Sequence, residues 1–161
     1  MKSPLPLNSY RESVANVLEH EARFAIIDWL RLVNAASDLI PVRLSNVERC
    51  AHLPELLHDI VKRLRGPSSL STKADISLAA CKYGCNRRAQ GYTPIMIIEE
   101  SRVLQIAIFE TLQLNLCYVD TTLVLGDVMT IADEVQSQLA QAMKAYLGED
   151  PLTALSQISE S

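Results

Sequence analysis

The chain is predicted to be all-α, a single-domain bundle of about five or six helices. Three observations carry this prediction. Apolar residues recur three and four positions apart over most of the chain, the period of a helix face. Helix start and stop signals fall between these periodic runs, and no run reads as a credible strand. The 161 residues, 48% hydrophobic, suffice for one core. Only 5% are aromatic, so that core must be mainly aliphatic.

Pro4 and Pro6 keep residues 1–8 extended as an N-terminal arm. Ser9 with Glu12 has the capping-box spacing, and Val14, Leu18, Ala22, Ala25, Trp29, Leu32 and Ala36 continue one long first helix to about Ser37. Pro41 closes that region. Ser45 with Glu48 repeats the capping box ahead of a short helical turn. Pro54 opens a helix through Leu56, Leu57, Ile60, Val61 and Leu64, which ends in Lys62, Arg63 and Arg65 before Gly66-Pro67. Ser68–Lys73 is a short polar linker that does not divide the chain.

A further helix runs from about Ala74 to Gln90 and stops at Gly91, and Thr93-Pro94 starts its successor. That successor, to about Val119, is apolar on more than one side and belongs at the centre of the bundle or at a subunit contact. Asp120 or Thr121 caps the last helix. Along it Leu125, Val128, Ala132, Val135, Leu139, Ala142 and Tyr146 alternate steps of three and four, a coiled-coil-like seam for a dimer or an output module. Gly148 ends the helical domain, 9–148, and residues 149–161 form a polar tail or linker.

Net charge is −4 and the pI about 5.4, a poor match to phosphate backbones or anionic lipid. The charge is unevenly placed. Arg43 to Arg88 carries nine basic and four acidic residues, whereas eight acidic residues and Lys144 alone follow Arg102. Complementary faces within a bundle or across a dimer account for this, and no aromatic residues interleave the basic ones to suggest nucleic-acid binding. Cys50, Cys81, Cys85 and Cys117 include no C-x-x-C, and no histidine pair completes a metal site with Cys81 and Cys85. Reduced thiols, the lack of a visible targeting segment and the lack of a long uncharged apolar run predict a soluble cytoplasmic chain with no membrane insertion.

The densest special chemistry lies in Tyr83–Leu104, where two helical patterns join. Gly84 inside a helix costs about 1 kcal/mol against alanine, so a close approach by a neighbouring backbone or ring is expected there. Gly91 sits where a helix C-cap needs positive φ, and Tyr92 is expected to pack back on the helix just left. Arg87 and Arg88 face Glu99 and Glu100 across the turn. An antiparallel hairpin would place Arg87 opposite Glu100, either as an ordinary interhelical ion pair or as a polar switch or ligand contact.

Gly84, Arg87, Gly91, Tyr92, Glu100 and Leu104 fit, in order and spacing, the pattern HG-x-x-R-x-x-x-G-Y followed by E-x-x-x-L. This resembles the N-terminal domain family of RsbT co-antagonist RsbRD proteins. Trp29 and Leu53-Pro54 are consistent with it, so the likeness covers most of the chain. That family stands at the front of bacterial stress-signalling regulators and of many sensor histidine kinases. The resemblance implies a non-catalytic input domain followed by an output module. Tyr83 stands where the family usually has histidine, and Gln105 where it often has arginine. Sensing chemistry that depends on that histidine is therefore not carried over, since tyrosine does not titrate near neutral pH.

Other functions find less support. His20, His52 and His58 all lack the flanking residues of a phosphoacceptor or phosphotransfer histidine. No phosphate loop, nucleophile elbow or H-E-x-x-H occurs, and Glu99 and Glu100 point about 100° apart on a helix, so no catalytic residue is proposed. The expectation is a cytoplasmic homodimer with no cofactor or metal, whose last helix passes a packing change to a C-terminal kinase or regulator. The alternative is a helical sensor that binds a small ligand or haem in the bundle.

Overall fold

Seven α-helices and one 3-10 turn make up the described residues, 13–67 and 75–149, of the computed structural model, and no strand occurs among them. The helices are α1 (Val14–His20), α2 (Ala22–Ala35), α3 (Asn46–Cys50), α4 (Leu53–Arg65), α5 (Leu78–Ala89), α6 (Pro94–Leu114) and α7 (Val124–Tyr146). The N-terminal arm, the Ser9–Glu12 pair, the Ser68–Lys73 linker and the tail beyond Glu149 lie outside the described residues.

The expected single first helix is two. Ser13 accepts a hydrogen bond from the Asn16 amide to start α1, and the helical path breaks at Glu21, whose φ of −95° and ψ of 10° are not helical. The break lets α1 pack chiefly on α4 while α2 packs on α6. Both faces bury apolar residues, Val14, Val17 and Leu18 in α1 and Ala25, Trp29 and Val33 in α2.

The Ser45–Glu48 capping box forms as its spacing predicts, with each side chain bonded to the other's backbone amide. α5 starts at Leu78, later than the Ala74 expected, because Ser77 supplies the cap. Its hydroxyl accepts from the Ala80 amide and donates to Asp59 Oδ2 at 2.7 Å. α6 ends at Leu114, and a 3-10 turn over Leu116–Tyr118 replaces its expected last turn. Neither Asp120 nor Thr121 caps α7, whose N-cap position is Leu123 with no side-chain bond. Asp120 instead accepts from the Thr122 amide and hydroxyl, folding the loop ahead of the helix.

α6 is the central element, packed on α2, α7 and α1, with Ile97, Val103, Leu104, Ala107, Ile108 and Leu112 buried. The closest packing joins α5 to α7. Small residues make this possible, Ala80 and Gly84 on one helix and Ala142 and Ala145 on the other. A Cβ built at Gly84 would lie 2.0 Å from the Ala142 carbonyl oxygen, so the close approach expected at this glycine is to the backbone of α7.

The α7 seam is mainly an internal face. Val135 and Ala142 belong to the core, and Leu139 and Tyr146 pack against it. Val128 lines an apolar cavity of about 170 Å³ with Val14, Phe109 and Leu112, Ala132 is half-buried, and Leu125 alone is exposed. A bundle seam and a dimer seam share one period, and here most of the stripe is used within the chain.

Candidate functional site

The α5–α6 hairpin is built as its residues predict. Gly91 has φ of +88°, the Tyr92 amide donates to the Arg87 carbonyl at 3.0 Å, and the Gly91 amide donates to Arg88 at 3.1 Å. This is a Schellman turn, which satisfies carbonyls that the helix end leaves open. Thr93 then accepts from the Met96 amide, with Pro94 in the first turn of α6.

Inside this turn Arg87 meets Glu100, with Nε 2.9 Å from Oε2 and both side chains almost wholly enclosed, 2% and 1% exposed. Tyr83 donates its phenol to the same Oε2 at 2.5 Å, and Tyr92 donates to Oε1 at 2.7 Å. The Glu100 carboxylate, on α6, therefore accepts three hydrogen bonds, two from α5 and one from the turn between the helices. Arg87 is equally committed. Its Nη1 donates to Gln90 Oε1 at 2.7 Å and its Nη2 to the Arg49 carbonyl at 2.6 Å, while its guanidinium carbon lies 4.6 Å from the Tyr92 ring centre.

Earlier helices close the cluster. Arg49 of α3, itself buried, donates to the Tyr92 hydroxyl at 3.0 Å and to the Val42 carbonyl at 2.8 Å. Trp29 of α2 donates its indole N–H to the Glu100 backbone carbonyl at 3.1 Å. His52, just before α4, stacks on Tyr83 with ring centres 4.1 Å apart, meets Trp29 edge-on, and holds Nδ1 3.5 Å from Arg87 Nη2.

The electrostatics follow from this enclosure. Burial works against the Arg87 charge, but the Glu100 carboxylate outweighs it and raises the guanidinium pKa. Burial first, and then the Glu100 charge, push both Tyr83 and Tyr92 well above the ordinary phenol range, so both remain donors. Burial and the nearby Arg87 charge hold His52 well below the usual imidazole value, so its neutral form is favoured.

The cluster is joined to α7. Tyr146 donates its hydroxyl to the Tyr92 carbonyl at 2.9 Å, and Arg88 donates to the Tyr146 carbonyl at 2.8 Å. The hairpin turn and the last turn of α7 thus hold one another.

No protein-family model, curated protein or solved structure matches the chain.

Tyr83, Arg87, Tyr92 and Glu100 of the sequence motif converge on one point. Gly84 and Gly91 shape the backbone around it, and Leu104 is buried one turn further along α6. Glu99 is not part of the cluster and pairs with Arg102 at the surface. Arg49 and His52 were missed, and Trp29 was expected only as core. Sequence offered one faint signal, an arginine within the short capped turn and a histidine just after it, ahead of Leu53. Among the described residues no three His, Cys, Asp or Glu side chains gather as a metal site, and no helix is long and apolar enough to cross a membrane.

Proposed function

We propose that the chain is a non-catalytic signal-input domain of a bacterial signalling protein, of the kind its hairpin motif resembles. It passes changes in the packing of the α5–α6 hairpin through α7 to a kinase or regulator output. The observation that carries this reading is the reciprocal tie between the Tyr92 turn and Tyr146, together with the backbone contact of Gly84 on Ala142. A shift of the hairpin must move the end of α7 or break these bonds. Interfaces packed this closely favour discrete alternatives over gradual deformation.

The chemistry of the cluster supports the same reading. Burying an ion pair is a weak way to gain stability, because desolvation offsets much of the attraction, and such pairs are best attested where they fix a register or a switch. Tyr83, Arg87, Tyr92 and Glu100 specify one register of the hairpin through directional bonds that aliphatic side chains would not supply. Cytoplasmic location and homodimerisation belong to the same proposal. Light scattering at high micromolar concentration tests the second, and a monomer there removes it.

The experiment joins the chain, through the end of α7, to a histidine-kinase catalytic core and measures autophosphorylation. Arg88→Gln and Tyr146→Phe cut the ties to the hairpin with little loss of burial. Output is expected to change several-fold in both while helix content stays at the wild-type level. Unchanged output in both variants would remove the reading.

A further inference from the structure

The start of α1, the end of α6 and the start of α7 meet around the cavity of about 170 Å³, which shares no lining residue with the hairpin cluster. Val14, Leu112 and Val119 are its buried lining residues, and Phe109, Val124 and Val128 its half-buried ones. Gln113 and Leu116 are exposed and mark its open side. The local sequence accounts for the space. α6 stops at Leu114 and α7 begins only at Val124, so a 3-10 turn and a loop close this corner in place of further helix. Four of the lining residues are valines, each a methylene shorter than leucine. Protein interiors are packed to leave few voids larger than a water molecule, and a cavity of this size stands apart from that rule.

Its chemistry is uniform. No lining residue is charged, Gln113 alone has a polar side chain, and almost all of the cavity surface is apolar. A water molecule inside would find too few hydrogen-bond partners, whereas cavities of about 150 Å³ with aliphatic and phenylalanine walls take up benzene or xenon.

We propose that this cavity is a binding site for a small uncharged hydrocarbon, about the size of one aromatic ring, that enters past Gln113 and Leu116. The lining selects this class. An ionised ligand would meet no counter-charge among the lining residues, and a hydrogen-bonding one would bury its polar atoms against carbon. The volume sets the upper limit. It falls short of the roughly 300–1,000 Å³ that drug-sized ligands occupy, and a haem is larger still. Val124 and Val128 lie in the first turns of α7, whose far end Tyr146 ties to the hairpin. A part for the site in signalling rests on the input-domain reading, whereas binding itself rests on the cavity alone.

The test titrates the full chain with benzene and, separately, with pyrazine, an uncharged ring of the same size. Pyrazine has nitrogen acceptors at opposite ends, so either orientation buries one of them unpaired. NMR follows the methyl groups of Val14, Leu112, Val119, Val124 and Val128. Saturable shifts are expected with benzene at a Kd on the order of 1 mM, and at least about tenfold weaker binding with pyrazine. Benzene at about 10 mM should also raise Tm by about 3–6 °C. Val128→Phe, which puts a ring into the cavity, should abolish the benzene shifts. The comparison of the two ligands on the wild-type chain stands even if this variant does not fold. Shifts that rise linearly with benzene, equal affinities for the two rings, or binding that Val128→Phe leaves unchanged overturn the proposal. So do two observations on the ligand-free chain. Methyl shifts at these residues that follow protein concentration would show that a second copy covers the cavity, and nuclear Overhauser contacts from them to Leu5 or Leu7 would show that the N-terminal arm fills it. None of these results bears on the autophosphorylation of Arg88→Gln and Tyr146→Phe, so the two failures are distinguishable.

Discussion

Replacing Gly84 by alanine has an outcome whose sign separates two accounts of α5. Inside an isolated helix the change stabilises by about 1 kcal/mol, because glycine carries the larger entropic cost. In this fold the new Cβ would lie 2.0 Å from the Ala142 carbonyl oxygen, 2.7 Å from its carbon and 2.9 Å from its Cα. An unstrained carbon–oxygen contact is about 3.3 Å or longer, so α5 and α7 would have to part by roughly 1 Å. All three obstructing atoms are backbone and cannot rotate away. Overpacking of this kind costs about 1–3 kcal/mol, and a backbone obstruction belongs at the upper end. Against the propensity gain, the net loss is about 2 kcal/mol, which for a chain of this length lowers Tm by roughly 4–8 °C. Urea and thermal unfolding followed by circular dichroism measure it. Gly126→Ala is the control. It lies in α7 with nothing within 4 Å of the added Cβ, and should stabilise by about 0.5–1 kcal/mol. A Gly84→Ala protein as stable as the wild type would refute the backbone contact between α5 and α7.

The remaining predictions concern the cluster and its turn. His52 has a pKa below its unfolded value, so the unfolded chain takes the proton first and stability falls as pH drops below about 6.5 toward the folded value. Urea midpoints at pH 7 and 5.5 should therefore show a loss of about 1 kcal/mol that His52→Gln largely removes, and equal pH slopes in the two proteins would contradict it. Tyr92→Phe should cost more than Tyr83→Phe, about 2–3 against about 1.5 kcal/mol, because Tyr92 serves both Glu100 and Arg49. The reverse order in denaturant titration would remove Arg49 from the network. Gly91→Ala should cost about 1–2 kcal/mol from its left-handed backbone alone, and Gly91→Asn should recover part of that. Equal midpoints for the two variants would show that φ is not what limits the turn.

What sequence made legible was local. Gly91, Thr93-Pro94 and the Ser45–Glu48 box act within a few residues, so their signals survive in the sequence and reappear in the fold. The pairing of Arg87 with Glu100 was legible for a related reason, since a tight turn leaves two helices little choice of register. Contacts between distant helices were not legible. Nothing near Arg49 announces that its guanidinium reaches Tyr92, 43 residues on, or near Trp29 that its indole reaches the Glu100 carbonyl, 71 residues on. The break at Glu21 escaped because helix-type bonds flank it, Glu21 N to Val17 O and Ala25 N to Glu21 O, so the apolar period runs through it. The α7 stripe misled for the opposite reason. Its period is real, but period records only that a face is buried, not which partner buries it.

At the centre of the account, Arg87 and Glu100 form one buried unit that fixes the hairpin, and a double-mutant cycle tests this most directly. Arg87→Met and Glu100→Leu should each cost about 3–5 kcal/mol, since each leaves a buried charge without its partner. The double variant should cost at least about 2 kcal/mol less than the two losses combined, because the second substitution removes the charge that the first stranded. Losses that add to within about 0.5 kcal/mol would mean that the two side chains act independently, and the hairpin would then be held by something other than this pair.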